Sequence, residues 1–331
     1  MMINIPFFSV IIPCYNSRSY LNNTIRSLEQ QTFMDFEVIL VDDCSTDDTY
    51  LYCEERARES DIDIRVYKNS RNCGPGFSRN VGIKKAKGHF ICFCDSDDWY
   101  EKKFFELIYQ AILDTNADIV FYNYYRCFSS AQTCKKVLIN HTAPFVNCKT
   151  KADYIALATD SLCSIVVKHE LFSEVSIANL YNAEDAITIP ILITAAEKFS
   201  FLSEPLYNYN YRYGSLSTAP NSNAIENFWN AFLFLQENLE EQYREAFEFH
   251  CVKVIVYGLL HNAVRCNIGD KSLNKKMDDF QKVVPDWYHN KYLCFLPFRK
   301  RVWMRFAKLR CFFMLRLYYK LQRFYFKNGL G

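Results

Sequence analysis

Three carboxylates within four positions, Asp95, Asp97 and Asp98, close the run Phe90-Ile91-Cys92-Phe93-Cys94-Asp95-Ser96-Asp97-Asp98-Trp99. Like charges so close repel, and a shared cation relieves them. Hard oxygen ligands on a short turn suit Mg²⁺ or Mn²⁺ holding the phosphates of a substrate. The plainer reading is a solvated acidic turn capping a helix near Glu101, and an isolated Asp-x-Asp does not separate the two. What separates them is the order of polar residues earlier in the chain.

The elements that must position this turn are legible from periodicity. Phe7 to Ile12 is an apolar, β-branched run, followed after Asn16-Ser17 by a helical pattern with Leu21, Ile25 and Leu28 on one face. Glu37 to Val41 repeats the strand and stops at Asp42-Asp43. Ser45 and Asp48 have capping-box spacing for a helix running to about Ser60. Ile62 to Tyr67 and Phe90 to Cys94 are further strands, with a helix over Gly76 to Lys87 between them. Alternating strands and helices predict a mostly parallel sheet covered on both faces, which binds ligands at the carboxyl ends of its strands. Tyr15, Asn16, Asp42, Asp43, Asn72 and Asp95 to Asp98 are the polar residues at those ends, and they are expected to share one crevice.

Two nucleotide-binding fingerprints are excluded. No Gly-x-x-x-x-Gly-Lys-Ser/Thr occurs, and Gly74-Pro75-Gly76-Phe77-Ser78-Arg79 has Arg where a dinucleotide loop needs its third Gly and follows the wrong strand. A phosphate-bearing ligand still fits. Asp43 can accept a hydrogen bond from a base or sugar, Tyr15 offers a flat ring, Asp97 can take a metal, and Arg79 would add positive charge beside a diphosphate. Each has a bland alternative: a Tyr packed in a turn, an Asp capping a helix, a surface Arg. Their ordered recurrence at four consecutive strand ends favours function.

The runs Ser9 to Asn16, Val41 to Asp47, Asn72 to Gly82 and Asp95 to Asp98 together resemble the family 2 glycosyltransferases of GT-A fold. The likeness is specific over about residues 8 to 100, weaker over 184 to 218, and absent beyond. It departs at Cys44, where the family often has Gly, and at Phe77-Ser78 before Arg79. The resemblance implies a nucleotide-sugar donor, with Tyr15 and Asp43 on the base, Asp95 near the ribose and Asp97 on a divalent metal at the diphosphate. It also implies a catalytic carboxylate in a Glu-Asp pair, which Ala183-Glu184-Asp185-Ala186 matches, making Asp185 the candidate base. Without the resemblance, the pair is equally a helix N-terminus dressed with acids. Tyr211-Arg212-Tyr213-Gly214-Ser215 is similar to a segment near the donor phosphates, which brings in Arg212 and Ser215. Transfer then needs a base to take the acceptor's proton and a metal to neutralise the leaving diphosphate. Inversion is likewise implied by the resemblance, with a lean toward uridine; a lipid-linked glycan acceptor in cell-surface polysaccharide assembly is expected if the C-terminal tail described below meets a membrane. The rivals are a sugar nucleotidyltransferase, which would carry a Gly-rich basic loop after the first strand, and a non-catalytic sugar-nucleotide sensor, which would need no base.

The remaining chain bounds the setting. With 331 residues, half of them apolar, it holds one large α/β domain over residues 1–220 and a helical region over 221–331. Fourteen cysteines are scattered, without any Cys-x-x-Cys, and read as reduced thiols. No signal peptide pattern and no apolar stretch of about 18 residues appears, so a cytoplasmic protein is expected. No nucleic-acid partner is expected. The net charge of +2 hides an asymmetry: eleven Lys or Arg and no acid follow Asp286, which leaves 28 basic against 37 acidic residues before it. As one helix over 301–327, the tail gathers Arg301, Arg305, Lys308, Arg316, Lys320, Arg323 and Lys327 in a stripe about 120° wide, with Arg310 opposite. Its other face is aromatic and apolar, and residues 299–327 are therefore expected to meet either the catalytic domain or an anionic membrane surface.

Overall fold

The computed structural model describes residues 5–129, 134–140, 143–212, 215 and 219–327, with backbone only at 129, 134, 146, 147 and 322–327. It comprises two compact units, Met1–Cys148 with Ala158–Ser215, and Lys149–Leu157 with Leu216–Gly331.

The first unit opens with β1 (Phe8–Cys14), α1 (Leu21–Glu29), β2 (Phe36–Asp42), α2 (Thr49–Glu59), β3 (Asp63–Lys68), α3 (Pro75–Lys85) and β4 (Phe90–Phe93). The four strands run parallel in the order β3-β2-β1-β4. β1, β2 and β4 are buried nearly throughout, as continuous apolar strands between two helical layers must be. α1 turns Leu21, Thr24, Ile25 and Leu28 inward. α3 lies so close to the sheet that a Cβ on Gly82 would stand 2.4 Å from Cγ2 of Ile11, so only glycine fits there.

After β4 the pairing becomes mixed. β5 (Trp99–Tyr100), α4 (Phe104–Thr115), β6 (Ile119–Ser129) and β7 (Cys134–Ile139) follow; α5 (Lys151–Leu157) belongs to the second unit, and β8 (Ile165–Lys168), α6 (Glu184–Ala195) and β9 (Phe199–Asn210) complete the first. The sheet continues β4-β8-β6-β9-β5, with β8 antiparallel to both neighbours, β9 parallel to β6, and β5 antiparallel to β9. Trp99 and Tyr100 pair with Asn208 and Tyr207, which brings the end of β9 to the acidic turn.

Three local expectations shift. The irregular stretch from Arg126 contains the far end of β6 and its antiparallel partner β7. The segment over Leu162 to Val167 begins as a 3-10 turn and becomes β8 only at Ile165. Ser45 does not cap α2: its hydroxyl accepts the Asn16 N–H at 3.0 Å, and Asp47 Oδ1 takes the Thr49 N–H at 3.0 Å. Ser45 thus ties the loops after β1 and β2 together. The described cysteines are free thiols.

The second unit packs α5 with α7 (Asn223–Glu237), α8 (Arg244–Val252), a π-helical stretch over Lys253–Leu259 that runs into α9 (Leu260–Arg265), α10 (Asp270–Val283), α11 (Phe298–Lys308) and α12 (Phe312–Lys327). Phe232, Phe249, Phe280, Trp287 and Trp303 fill its core. Trp303 donates to the Val256 carbonyl at 2.7 Å. The single tail helix expected over 301–327 is two helices, because Arg310 takes a φ of 55° between them. Cations of the tail face acids: Arg310 donates to Asp278 at 2.9 Å and Arg316 to Asp270 at 2.5 Å. The side chains of Arg323 and Lys327 lie outside the described residues. Among the described residues no helix is long and apolar enough to cross a membrane.

Candidate active site

The parallel register sets Cys14 beside Asp42 and Asp42 beside Lys68, so Tyr15, Asp43 and Asn69 emerge side by side at the strand ends. Asp43 is buried and organises the loop before α3. Its Oδ1 accepts Asn69 Nδ2 at 2.8 Å and the Cys73 N–H at 3.0 Å, and its Oδ2 accepts the Gly74 N–H at 2.7 Å. Gly74 has a φ of +87°, and a Cβ there would lie 3.1 Å from the ring of Tyr181. Tyr181 in turn donates to Asn72 Oδ1 at 2.8 Å. Burial first, with Asp43 and Tyr15 nearby, pushes the Tyr181 phenol upward, while the bond to Asn72 pulls the other way. Tyr15 and Tyr181 both present exposed rings.

In the acidic turn each carboxylate has a different partner. Asp98 is fully buried; its Oδ2 accepts the Tyr207 hydroxyl at 2.6 Å and its Oδ1 the Asn210 N–H at 2.7 Å. It therefore pins the turn to β9. Asp97 Oδ2 accepts both Nε and Nη2 of Arg212, at 2.7 Å for Nε, and the guanidinium lies 4.0 Å above the Tyr20 ring. Burial and the neighbouring Asp95 push the Asp97 carboxyl up, and Arg212 pulls it back. Asp95 Oδ1 accepts Nη2 of Arg79 at 2.8 Å.

Arg79 carries the turn's influence to α6. Nη1 donates to Glu184 Oε1 at 2.9 Å and lies 3.8 Å from Asp185 Oδ1. Burial works against its charge, but Asp95, Asp185 and Glu184 together outweigh that and hold the guanidinium above its ordinary value. Glu184 and Asp185 are the first two residues of α6, entered through Ala183 at a φ of 70°. Asn80 fixes the approach by exchanging two bonds with the Ile177 backbone, at 2.7 and 3.0 Å. Asp185 Oδ2 accepts the Leu162 N–H at 3.1 Å, while the buried Oδ1 accepts no hydrogen bond. Burial, then the charge of Glu184, pushes the Asp185 carboxyl up to about 7.

The structure thus gathers Arg79, Asp95 and Asp185 in one cluster, pairs Asp97 with Arg212, and sets Tyr15 beside Asp43. Arg79 is not the phosphate-facing cation that its helix position suggested: it is 4% exposed and engaged by carboxylates. Ser215 is half-buried, and Tyr213 and Gly214 of the same segment lie outside the described residues. Sequence reasoning passed over Asn69, Tyr181 and Tyr207. The signal for Tyr207 was available, since Tyr and Asn alternate through Tyr207-Asn208-Tyr209-Asn210 on a strand whose polar side must find partners.

Among the described residues no group of three metal-ligating side chains occurs. An ion of the Mg²⁺ or Mn²⁺ kind takes one or two carboxylates from protein and the rest from substrate phosphates and water. Asp97 fits this donor set: both bonds from Arg212 go to Oδ2, and neither uses Oδ1.

Comparison with known proteins bears on the family and on the fold. The family model described as "Glycosyl transferase family 2" matches residues 9–172. Glycosyltransferase GlyG of Streptococcus pneumoniae is 30% identical over 223 residues, 63% of this chain and 72% of that protein. The poly(ribitol-phosphate) beta-N-acetylglucosaminyltransferase TarS of Staphylococcus aureus is 42% identical over 98 residues, but these are 29% of this chain and only 17% of TarS. A crystal structure of TarS 1-349 with UDP-GlcNAc superposes with a TM-score of 0.69 at 24% identity, covering 97% of this chain and 92% of that one. The mannosyltransferase PcManGT of Pyrobaculum calidifontis, with GDP-Man and Mn²⁺, gives 0.58 at 12% identity over 94% and 86%. These two likenesses are of fold, and the fold is GT-A.

Proposed function

The chain belongs to glycosyltransferase family 2, and from that premise we propose that it moves a sugar from a UDP-linked donor to a hydroxyl of a cell-surface glycan or glycolipid, with inversion and with Asp185 as general base. The observation that carries this reading is the state of Asp185: a half-buried carboxyl pushed up to about 7, with one oxygen on a backbone N–H and the other without a hydrogen bond. A base of that strength is matched to neutral pH.

As the acceptor oxygen attacks the anomeric carbon, its proton passes to the Asp185 carboxylate. The bond from that carbon to the diphosphate oxygen breaks, and its electron pair leaves on the nucleoside diphosphate. Tyr15 and Tyr181 would flank the base, Asp43 would shape the loop beside it, and Asp95 would face the ribose. Arg212 and Ser215 would reach the diphosphate. A divalent ion on Asp97, when bound, neutralises charge on the leaving diphosphate. Support for the donor comes from TarS, crystallised with UDP-GlcNAc, and for the ion from PcManGT, crystallised with Mn²⁺. A lipid-linked acceptor, met at the cytoplasmic face of a membrane, belongs to the same reading.

The test is incubation of the full chain with a panel of nucleotide sugars and Mn²⁺. Release of nucleoside diphosphate, accelerated by a glycan acceptor, is the expected result. Release of pyrophosphate identifies a nucleotidyltransferase instead, and saturable binding without turnover identifies a sensor; either overturns the proposal.

A further inference from the structure

α11 and α12 each leave one stripe in water, and the stripes differ in chemistry. On α11 the outward residues are Arg301, Arg305 and Lys308, at i, i+4 and i+7, while Trp303, Met304 and Ala307 turn inward. On α12 Phe312 and Leu315 turn inward, and Phe313, Leu317 and Leu321, at i, i+4 and i+8, stay outside with Lys320 beside them. Phe313 is 70% exposed and Leu321 51%, and at the two ends of α11 Phe298 is 71% and Leu309 68% exposed. The helices are joined by a short turn and packed through Trp303 and Tyr318, whose rings are 5.9 Å apart.

A water-facing helix normally sets charge, not Phe and Leu, on its outer stripe, and a soluble surface normally mixes signs. α12 departs from the first pattern, and the outer stripe of α11 carries cations only, while the acids that the tail meets, Asp278 and Asp270, face Arg310 and Arg316 instead. We propose that this pair of helices is a docking surface for an anionic lipid bilayer. Phe313, Leu317 and Leu321 enter the boundary of the acyl chains, and Arg301, Arg305 and Lys308 meet the headgroups. The tail lies on such a surface and does not cross it. A second copy of the chain is the poorer occupant, because self-pairing of this face would set cations against cations. An acidic soluble partner would answer the cations but leave the Phe-Leu-Leu stripe without a purpose. The inference is independent of the transfer chemistry and stands or falls on binding alone.

The experiment is co-sedimentation of the full chain with vesicles, either phosphatidylcholine alone or an equal mixture with phosphatidylglycerol. The expected result is pelleting with the mixed vesicles, weakened by salt, and little with the neutral ones. Arg301→Gln/Arg305→Gln/Lys308→Gln should lower the partition coefficient about 100-fold, at several-fold for each cation. Phe313→Ser/Leu317→Ser/Leu321→Ser should lower it about tenfold or more, and because these side chains are exposed, the fold and turnover on a water-soluble acceptor should be retained. Absence of pelleting, equal pelleting of the apolar triple variant, or conversion of a dimer to monomer by that variant without effect on vesicles would each overturn the proposal.

Discussion

The acidic turn and the Glu184-Asp185 pair are both clusters of carboxylates, yet the fold treats them oppositely. In the turn the three acids are divided among separate partners: Asp95 to Arg79, Asp97 to Arg212, and Asp98 to Tyr207 and the Asn210 N–H. At the head of α6 Glu184 takes the hydrogen bond from Nη1 of Arg79, and Asp185 keeps an oxygen without a hydrogen bond, 3.8 Å from the same nitrogen. The difference teaches that an acid's role follows from which of its lone pairs the protein has already used. Asp98 is spent on structure, while Asp97 and Asp185 retain capacity for an ion and a proton.

The comparison breaks most sharply at Asp97. Asp97→Asn should abolish transfer, as should EDTA, with thermal unfolding close to wild type; full turnover in either condition removes the ion from the reading. Asp185→Asn comes next, with kcat lowered by about 10²-fold or more and donor affinity largely kept. A calorimetric Kd for the donor that collapses together with kcat would make Asp185 a binding residue instead.

Asp98 should behave as the structural member of the set. Asp98→Ala orphans the Tyr207 hydroxyl and the Asn210 N–H, which costs about 2–5 kcal/mol of stability, at 1–3 per buried unpaired group, and is read by denaturant unfolding. An unfolding midpoint unchanged from wild type would contradict the division of labour in the turn.

The smallest effect is the most discriminating. A base that titrates at about 7 must be ionised to act, so kcat/KM should rise with pH through about 7 and level off above it. Glu184→Gln removes a negative charge beside Asp185, and that charge raises the Asp185 carboxyl; the rising limb should therefore move to lower pH. A merely structural Glu184 would lower turnover without moving the limb. The same raised carboxyl contributes stability that is fully present below the usual carboxylate range and is lost as pH rises through about 7, so the difference in stability between wild type and Asp185→Asn should change with pH over that window.

Much of this site was legible in the residues alone. Strands β1 to β4 are apolar runs that stop at polar residues, and a parallel sheet sets all such stops on one edge, so local pattern sufficed to collect Tyr15, Asp43 and Asp95 to Asp98. The Glu-Asp pair at the start of an apolar helix was equally visible, though only through resemblance did it carry a role. The tail's basic stripe and apolar face were read from period, but as one helix; the break at Arg310 was not, because nothing in that residue type announces a left-handed backbone.

What the tertiary structure alone decided is who partners whom. Arg79 looked like a cation for phosphate, yet it meets Glu184 across 105 positions of sequence and Asp95 across 16, because α3 and the head of α6 both close on the end of β4. Tyr207 reaches Asp98 across 109 positions through the β5–β9 ladder. Composition and spacing determine which elements form, since periodicity is a property of neighbours along the chain. The protonation of Asp185 and the freedom of Asp97 depend on burial and on charges brought in from distant segments, and those exist only once the chain has folded.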